Sequence, residues 1–259
     1  MDAAEIIRIK ELLPTALGSD ELREQVAADI LRRSVFSARM ESARYLALVR
    51  ETCARFADGE INRAKAIEIL MLELGRMGHS PLDEGGLRNP ASLARLRLVV
   101  TTQRQMAASC ARLSCQTASV LHRTPAWELA RVSERVRKRS DWHLRWAAAG
   151  SSCGFEGALQ DRFIALKDSP IWQALGDGAG GYRDTLMNPF PPFAYGSGMG
   201  WIGVGRDECI RLGLIGEDEE VGGSAGRLAP PSLSPTEKEI AEAAERLGLT
   251  EEKLMEGLA

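Results

Sequence analysis

The chain has 259 residues, 33 Lys or Arg against 36 Asp or Glu, and a formal net charge of -3, so the molecule as a whole is no electrostatic trap for nucleic acid or anionic membrane. That length can bury a core without disulfides or a structural metal. The start, MDAAEIIRIKELLPTALG, mixes acids with apolar residues and makes a poor secretory signal, and the most apolar run, AIEILMLELG, is cut by Glu68 and Glu73, short of the roughly 20 apolar residues of a spanning helix. A soluble protein with no membrane partner is expected.

The first predicted helix runs through SVFSARMESARYLALVRETCARFADGE, where Phe36, Met40, Ala43, Ala47, Cys53 and Phe56 form the apolar face and Asp58 and Gly59 end it. A second follows in INRAKAIEILMLELG, with Ile67, Leu70, Met71 and Leu74 on one side and Gly75 and Gly78 as stop signals. Together they make a helical hairpin. A third, long helix opens in NPASLARLRLVVTTQRQMAASCARLSCQTASVL, with Asn89 as N-cap, Pro90 at the first position, and Leu93, Leu96, Val100, Ala107, Cys110 and Leu113 as its buried stripe.

All five tryptophans, Trp127, Trp142, Trp146, Trp172 and Trp201, fall between 127 and 201, which marks a composition boundary after residue 122. AWELARVSERV alternates well enough for one or two short strands, DWHLRWAAAG suits a short helix or turn, and ALQDRFIALKDSPIWQALG mixes strand and helix around Pro170. RDECIRLGLIG reads as a helical turn closed by Gly213 or Gly216. EDEEVGGSAGRLAPPSLS has little to bury and reads as a flexible linker, and Ser234, Pro235 and Glu237 then carry a capping-box signature for a marginal terminal helix. The expected architecture is mainly α with a smaller α+β module. It comprises a helical domain over 1–122, an aromatic-rich α+β module over 123–216, a linker over 217–234 and a helical tail over 235–259.

Few residues suggest chemistry. Cys53, Cys110, Cys115, Cys153 and Cys209 are odd in number, scattered and without a CxxC pair, which predicts free thiols in a reducing compartment. His79, His122 and His143 match no zinc-ligand spacing. No GxSxG or HExxH occurs, and Asp141 with His143 lacks a nucleophile in any known order, so no enzyme, cofactor or metal is expected. Gly198, Gly200 and Gly203 fit GxGxxG, but prolines precede them and extended residues follow, the wrong context for a dinucleotide.

Two segments carry the candidate functional residues. In NPFPPFAYGSGMGW, Pro189, Pro191 and Pro192 hold the backbone extended, the glycines permit sharp turns, and Phe190, Phe193, Tyr195 and Trp201 supply either core area or a partner-contact surface. In RVSERVRKRSDWHLR, the cations Arg131, Arg135, Arg137, Lys138, Arg139 and Arg145 lie beside Trp142, with Trp146 next in line, as in a nucleic-acid grip of phosphate contacts and stacking. A solvated charged face explains the same run.

In order along the chain, FSARMESARYLALVRETCARFADGEIN, AWELARVSERVRKRSDWHLRWAAAG, FIALKDSPIWQALG and PFPPFAYGSGMGWIGVGRDECIRLGLI resemble the phage head morphogenesis proteins, minor head proteins of the phage Mu protein F type. The resemblance covers about residues 34 to 216 and is most specific in ALKDSPIW, PPFAYGSGMGW and RDECIRLGL. GDGAGGYRDTLMN is inserted before the proline loop relative to that pattern. The resemblance implies a minor virion protein made in the bacterial host cytoplasm. It would act near the portal in procapsid assembly and in DNA packaging or delivery, oligomeric in the virion, with portal or capsid proteins and DNA as partners.

Overall fold

The computed structural model describes residues 1–219 except 83, 135–137 and 156–160. The expected linker and helical tail, with the capping-box residues Ser234, Pro235 and Glu237, lie almost wholly outside the described residues. The architecture is mainly α with a smaller α+β module. Two compact units divide between Ala108 and Ser109.

In the first unit, α1 (Ala3–Arg8) starts at a capping box in which Asp2 and Glu5 exchange side-chain and backbone hydrogen bonds of 2.7 and 2.9 Å. Then come β1 (Glu11–Leu12), α2 (Ser19–Gln25), α3 (Ala28–Arg33) and β2 (Ser34–Val35), β2 pairing in parallel with β1. The predicted first helix therefore begins later than its periodicity suggests. Ser34 and Val35 are strand, Arg39 sits at φ 59°, which no helix tolerates, and α4 (Ala43–Asp58) starts only after Ser42, whose hydroxyl accepts from the Tyr45 N–H. Its buried face is Tyr45, Leu46, Val49 and Cys53, and Gly59 closes it in the left-handed conformation. α5 (Arg63–Arg76) packs back on α4 as the expected hairpin, and α1 packs on α4.

A 3₁₀ turn (Gly86–Arg88) leads to α6 (Leu93–Ser114), within which the division between units falls. Asn89 does not cap this helix. It is buried, its Oδ1 accepts from the Ala91 N–H at 2.8 Å as an Asx turn, and Ser92 takes the capping position toward Arg95. Leu96, Val100, Ala107, Cys110 and Leu113 are buried as the stripe predicts, while Leu93 is exposed. The helix also stops before the predicted end, since Thr117 caps a separate helix, α7 (Ala118–Arg123).

The second unit is built on a three-stranded antiparallel sheet in the order β4-β3-β5: β3 (Ala126–Arg131), β4 (Ile164–Leu166) and β5 (Met199–Val204). Around it lie α8 (Trp142–Cys153), α9 (Ile171–Asp177), which follows Pro170 at its N-cap, and α10 (Arg206–Arg211), closed by Gly213 at φ 70°. The GxGxxG context is absent in space as well, because Gly200 and Gly203 lie inside β5, not in a turn leading out of a strand. No helix among the described residues is long and apolar enough to cross a membrane.

Candidate functional site: the clamped proline-glycine loop

The loop over 188–198 leads into β5, and its rings make the core of the second unit. In the β3-β5 register Trp127 lies opposite Gly203, so Trp201, two residues away, reaches across diagonally. The two indoles stack with centroids 3.6 Å apart and planes 12° from parallel. Trp172 meets both edge-on, at 6.1 and 5.6 Å, and Phe193 lies 6.1 Å from Trp172 and from Trp201. Trp146 extends the cluster from α8 to Trp172 at 5.5 Å. Each such pair contributes about 0.5–1.5 kcal/mol beyond its burial.

Of the two readings open for these rings, burial favours the core: Phe190, Phe193 and Trp201 are buried and Tyr195 is half-buried. The loop also has little room. A Cβ on Gly176 would stand 2.0 Å from the Asn188 carbonyl oxygen, and one on Gly200 2.4 Å from the Val132 side chain, so only glycine fits at either place.

The basic run serves the same loop. Arg131 donates to the Ser197 carbonyl at 2.8 Å and to the Arg139 carbonyl at 3.0 Å, and Arg139 donates to the Tyr195 carbonyl at 2.7 Å. Arg145 is buried, grips both carboxylate oxygens of Asp184 at 2.8 and 3.2 Å, binds Asp141 at 2.9 Å and lies 4.0 Å over the Tyr182 ring. Asp184 completes the clamp by accepting the Tyr195 N–H on its carbonyl and pairing with Arg139 at 2.9 Å. Burial alone would raise the Asp184 carboxyl. Its hydrogen bonds from Arg145 and the charges of Arg139 and Arg145 outweigh that and hold it below its ordinary range.

Of the six predicted nucleic-acid contacts, Arg131 and Arg139 are thus turned onto the protein's own loop and Arg145 onto Asp184 and Asp141. Lys138 is exposed and pairs with Glu134 at 3.1 Å, while Arg135 and Arg137 lie outside the described residues. Trp142 and Trp146 are buried and present no stacking platform.

Sequence reasoning missed Asp184 and Tyr182, which stand in the GDGAGGYRDTLMN segment, some 40 residues from their partner Arg145. It also missed Arg162, which joins Glu128 on β3, at 3.0 and 2.6 Å, to Glu208 on α10 at 2.5 Å. An open groove of about 720 Å³ beside α7 and α10 is lined by charges of both signs, including Arg123, Arg206, Asp207 and Glu208. Burial pushes the Cys53 thiol up to about 12 and the Cys209 thiol up to about 11. Among the described residues no group of three or more His, Cys, Asp or Glu is placed to hold a metal ion. No family model, curated protein or solved structure matches the chain.

Proposed function

We propose that the chain is a structural assembly protein, a minor head protein of a tailed phage or prophage that acts near the portal during procapsid assembly and DNA packaging or delivery. In this reading the helical unit docks on portal or capsid protein, and the loop over 188–198 is the clasp that fixes the shape of the second unit. The supporting observation is where the most specific resemblance falls. ALKDSPIW supplies β4 and the start of α9, PPFAYGSGMGW supplies the clamped loop and the first half of β5, and RDECIRLGL supplies α10, all parts of one compact unit.

Mass spectrometry of purified procapsids and virions from the source phage tests the reading, with copies of this chain co-sedimenting with portal protein as the expected result. Particles that contain portal but none of this chain would end it. The competing nucleic-acid reading of the 131–145 run gains no support from its geometry, since three of its cations already satisfy loop carbonyls or Asp184.

A further inference from the structure

Beside α7 two cations of the second unit are tied together by Gln116 with no carboxylate paired to either among the described residues. Lys167, just past β4, is buried, and its ammonium donates to Gln116 Oε1 at 2.6 Å and Thr124 Oγ1 at 3.1 Å, 5.3 Å from the Trp127 ring centre. These partners are neutral. Arg112, near the end of α6, is exposed and uses Nη1 on the Trp201 carbonyl at 2.6 Å. Gln116 ties the two together, because its Nε2 donates to the Arg112 carbonyl at 2.7 Å while its oxygen holds Lys167. Neither cation pairs with a carboxylate among the described residues.

Burial first, and the Arg112 charge second, push the Lys167 ammonium down to about 8, so the arrangement penalises its own charge. A fold that only needed to fill this space would do better with an apolar side chain. Gly203 lies beside the guanidinium: an added Cβ there would sit in ordinary contact, 3.9 Å from Arg112 Nη2 and 3.8 Å from Thr124, so covering the fork takes a larger, branched side chain.

We propose that Arg112 and Lys167 form a binding site for a phosphate group, with the exposed Arg112 fork making the contact and Lys167 supplying the second positive charge behind it. A dianion matches two cations, whereas a carboxylate would leave one uncompensated, and the planar Arg fork suits two oxygens of a tetrahedral anion. The phosphate can be free or carried as a monoester, since both present the same oxygens.

The test uses the full chain in inorganic phosphate, in phenyl phosphate, and in chloride at matched ionic strength. The Lys167 side-chain carbon resonances and the melting temperature are followed. Saturable shifts with phosphate but not chloride are expected, together with a rise in the Lys167 pKa on binding, as linkage between proton and anion requires. Arg112→Gln should weaken the response about tenfold or more, and Gly203→Val should block it while leaving Lys167 in place. A response to inorganic phosphate alone assigns the free anion as ligand, and one to both assigns the phosphoryl group. If the wild-type chain responds no more to either phosphate than to chloride, or if Arg112→Gln and Gly203→Val both respond as wild type does, the site is refuted.

Discussion

The two units solve the same problem, satisfying a buried backbone, by different means. In the first, helices do most of the work and side-chain help is mostly local, as at Asp2, Ser42 and Asn62, with Arg50 reaching the Lys10 carbonyl and Arg95 donating to the carbonyls of Leu87, Arg88 and Ala38 to hold the irregular stretches at 34–42 and 86–88. In the second, long side chains take over. Arg112, Arg131 and Arg139 cap carbonyls of Trp201, Ser197 and Tyr195, and Ser197 and Asn188 bond the Pro192 and Phe190 carbonyls from within the loop. A run of arginines beside an irregular, proline-rich segment is thus a source of backbone donors, and its charge is no guide to what it binds.

The largest expected effect is on the ring cluster. Trp201→Ala removes the stacked partner of Trp127 and should cost about 3–5 kcal/mol in chemical denaturation, so a near-neutral change would contradict the account of the loop as core. Leu46→Ala in the first unit, fully buried on α4, should cost about 2–5 kcal/mol through an ordinary cavity. Gly176→Ala tests the close approach of chain to chain, and overpacking against Asn188 should cost about 1–3 kcal/mol, with no comparable loss for Gly75→Ala, where an added Cβ meets nothing.

Arg145→Met should lower stability by about 1–3 kcal/mol at neutral pH, because it strips a partly buried Asp184 of its main partner. The pH dependence has a definite sign. The native Asp184 carboxyl lies below its unfolded value, so its contribution is complete above the ordinary carboxylate range and is lost as pH falls through the native pKa. The gap between wild type and Arg145→Met should therefore shrink in acid, and a constant gap in melting temperature from neutral pH to pH ~3 would remove Asp184 from the explanation. The smallest effect is expected at Lys167, whose native pKa near 8 lies below the unfolded one, so its own contribution to stability rises between about pH 8 and 10, against the opposite contribution of the raised Cys53 and Cys209 thiols. Lys167→Met should remove that contribution, so the stability of the variant relative to wild type should fall over this range from a value at pH 7 that is unchanged or higher.

The hairpin of α4 and α5 was legible because periodicity and end signals act within a few residues, and Gly59 ends α4 where its sequence says it must. The strands at Ala126 and Ile164 and the helix after Pro170 were legible for the same reason. β2 was not, since two residues carry no period, and the pattern through Phe36 and Met40 imitates a helix although Arg39 breaks it. The site was half legible. Proline, glycine and aromatic content marked the loop as rigid, but the role of Arg131, Arg139 and Arg145 depends on partners 39 to 66 residues away, which no local pattern encodes. Lys167 and Arg112 were invisible for the same reason, one inside an apolar strand exit and the other on a helix surface.

The pairing of Trp127 with Trp201 gives the second unit an optical signature of its own. Parallel indoles at such short range couple their electronic transitions, so the near-ultraviolet dichroism of the native chain should carry a signal that vanishes when either ring is replaced. Because every tryptophan lies beyond residue 126, tryptophan emission watches the aromatic unit alone, whereas near-ultraviolet dichroism also carries the buried Tyr45 of the first unit and the amide band is dominated by helices.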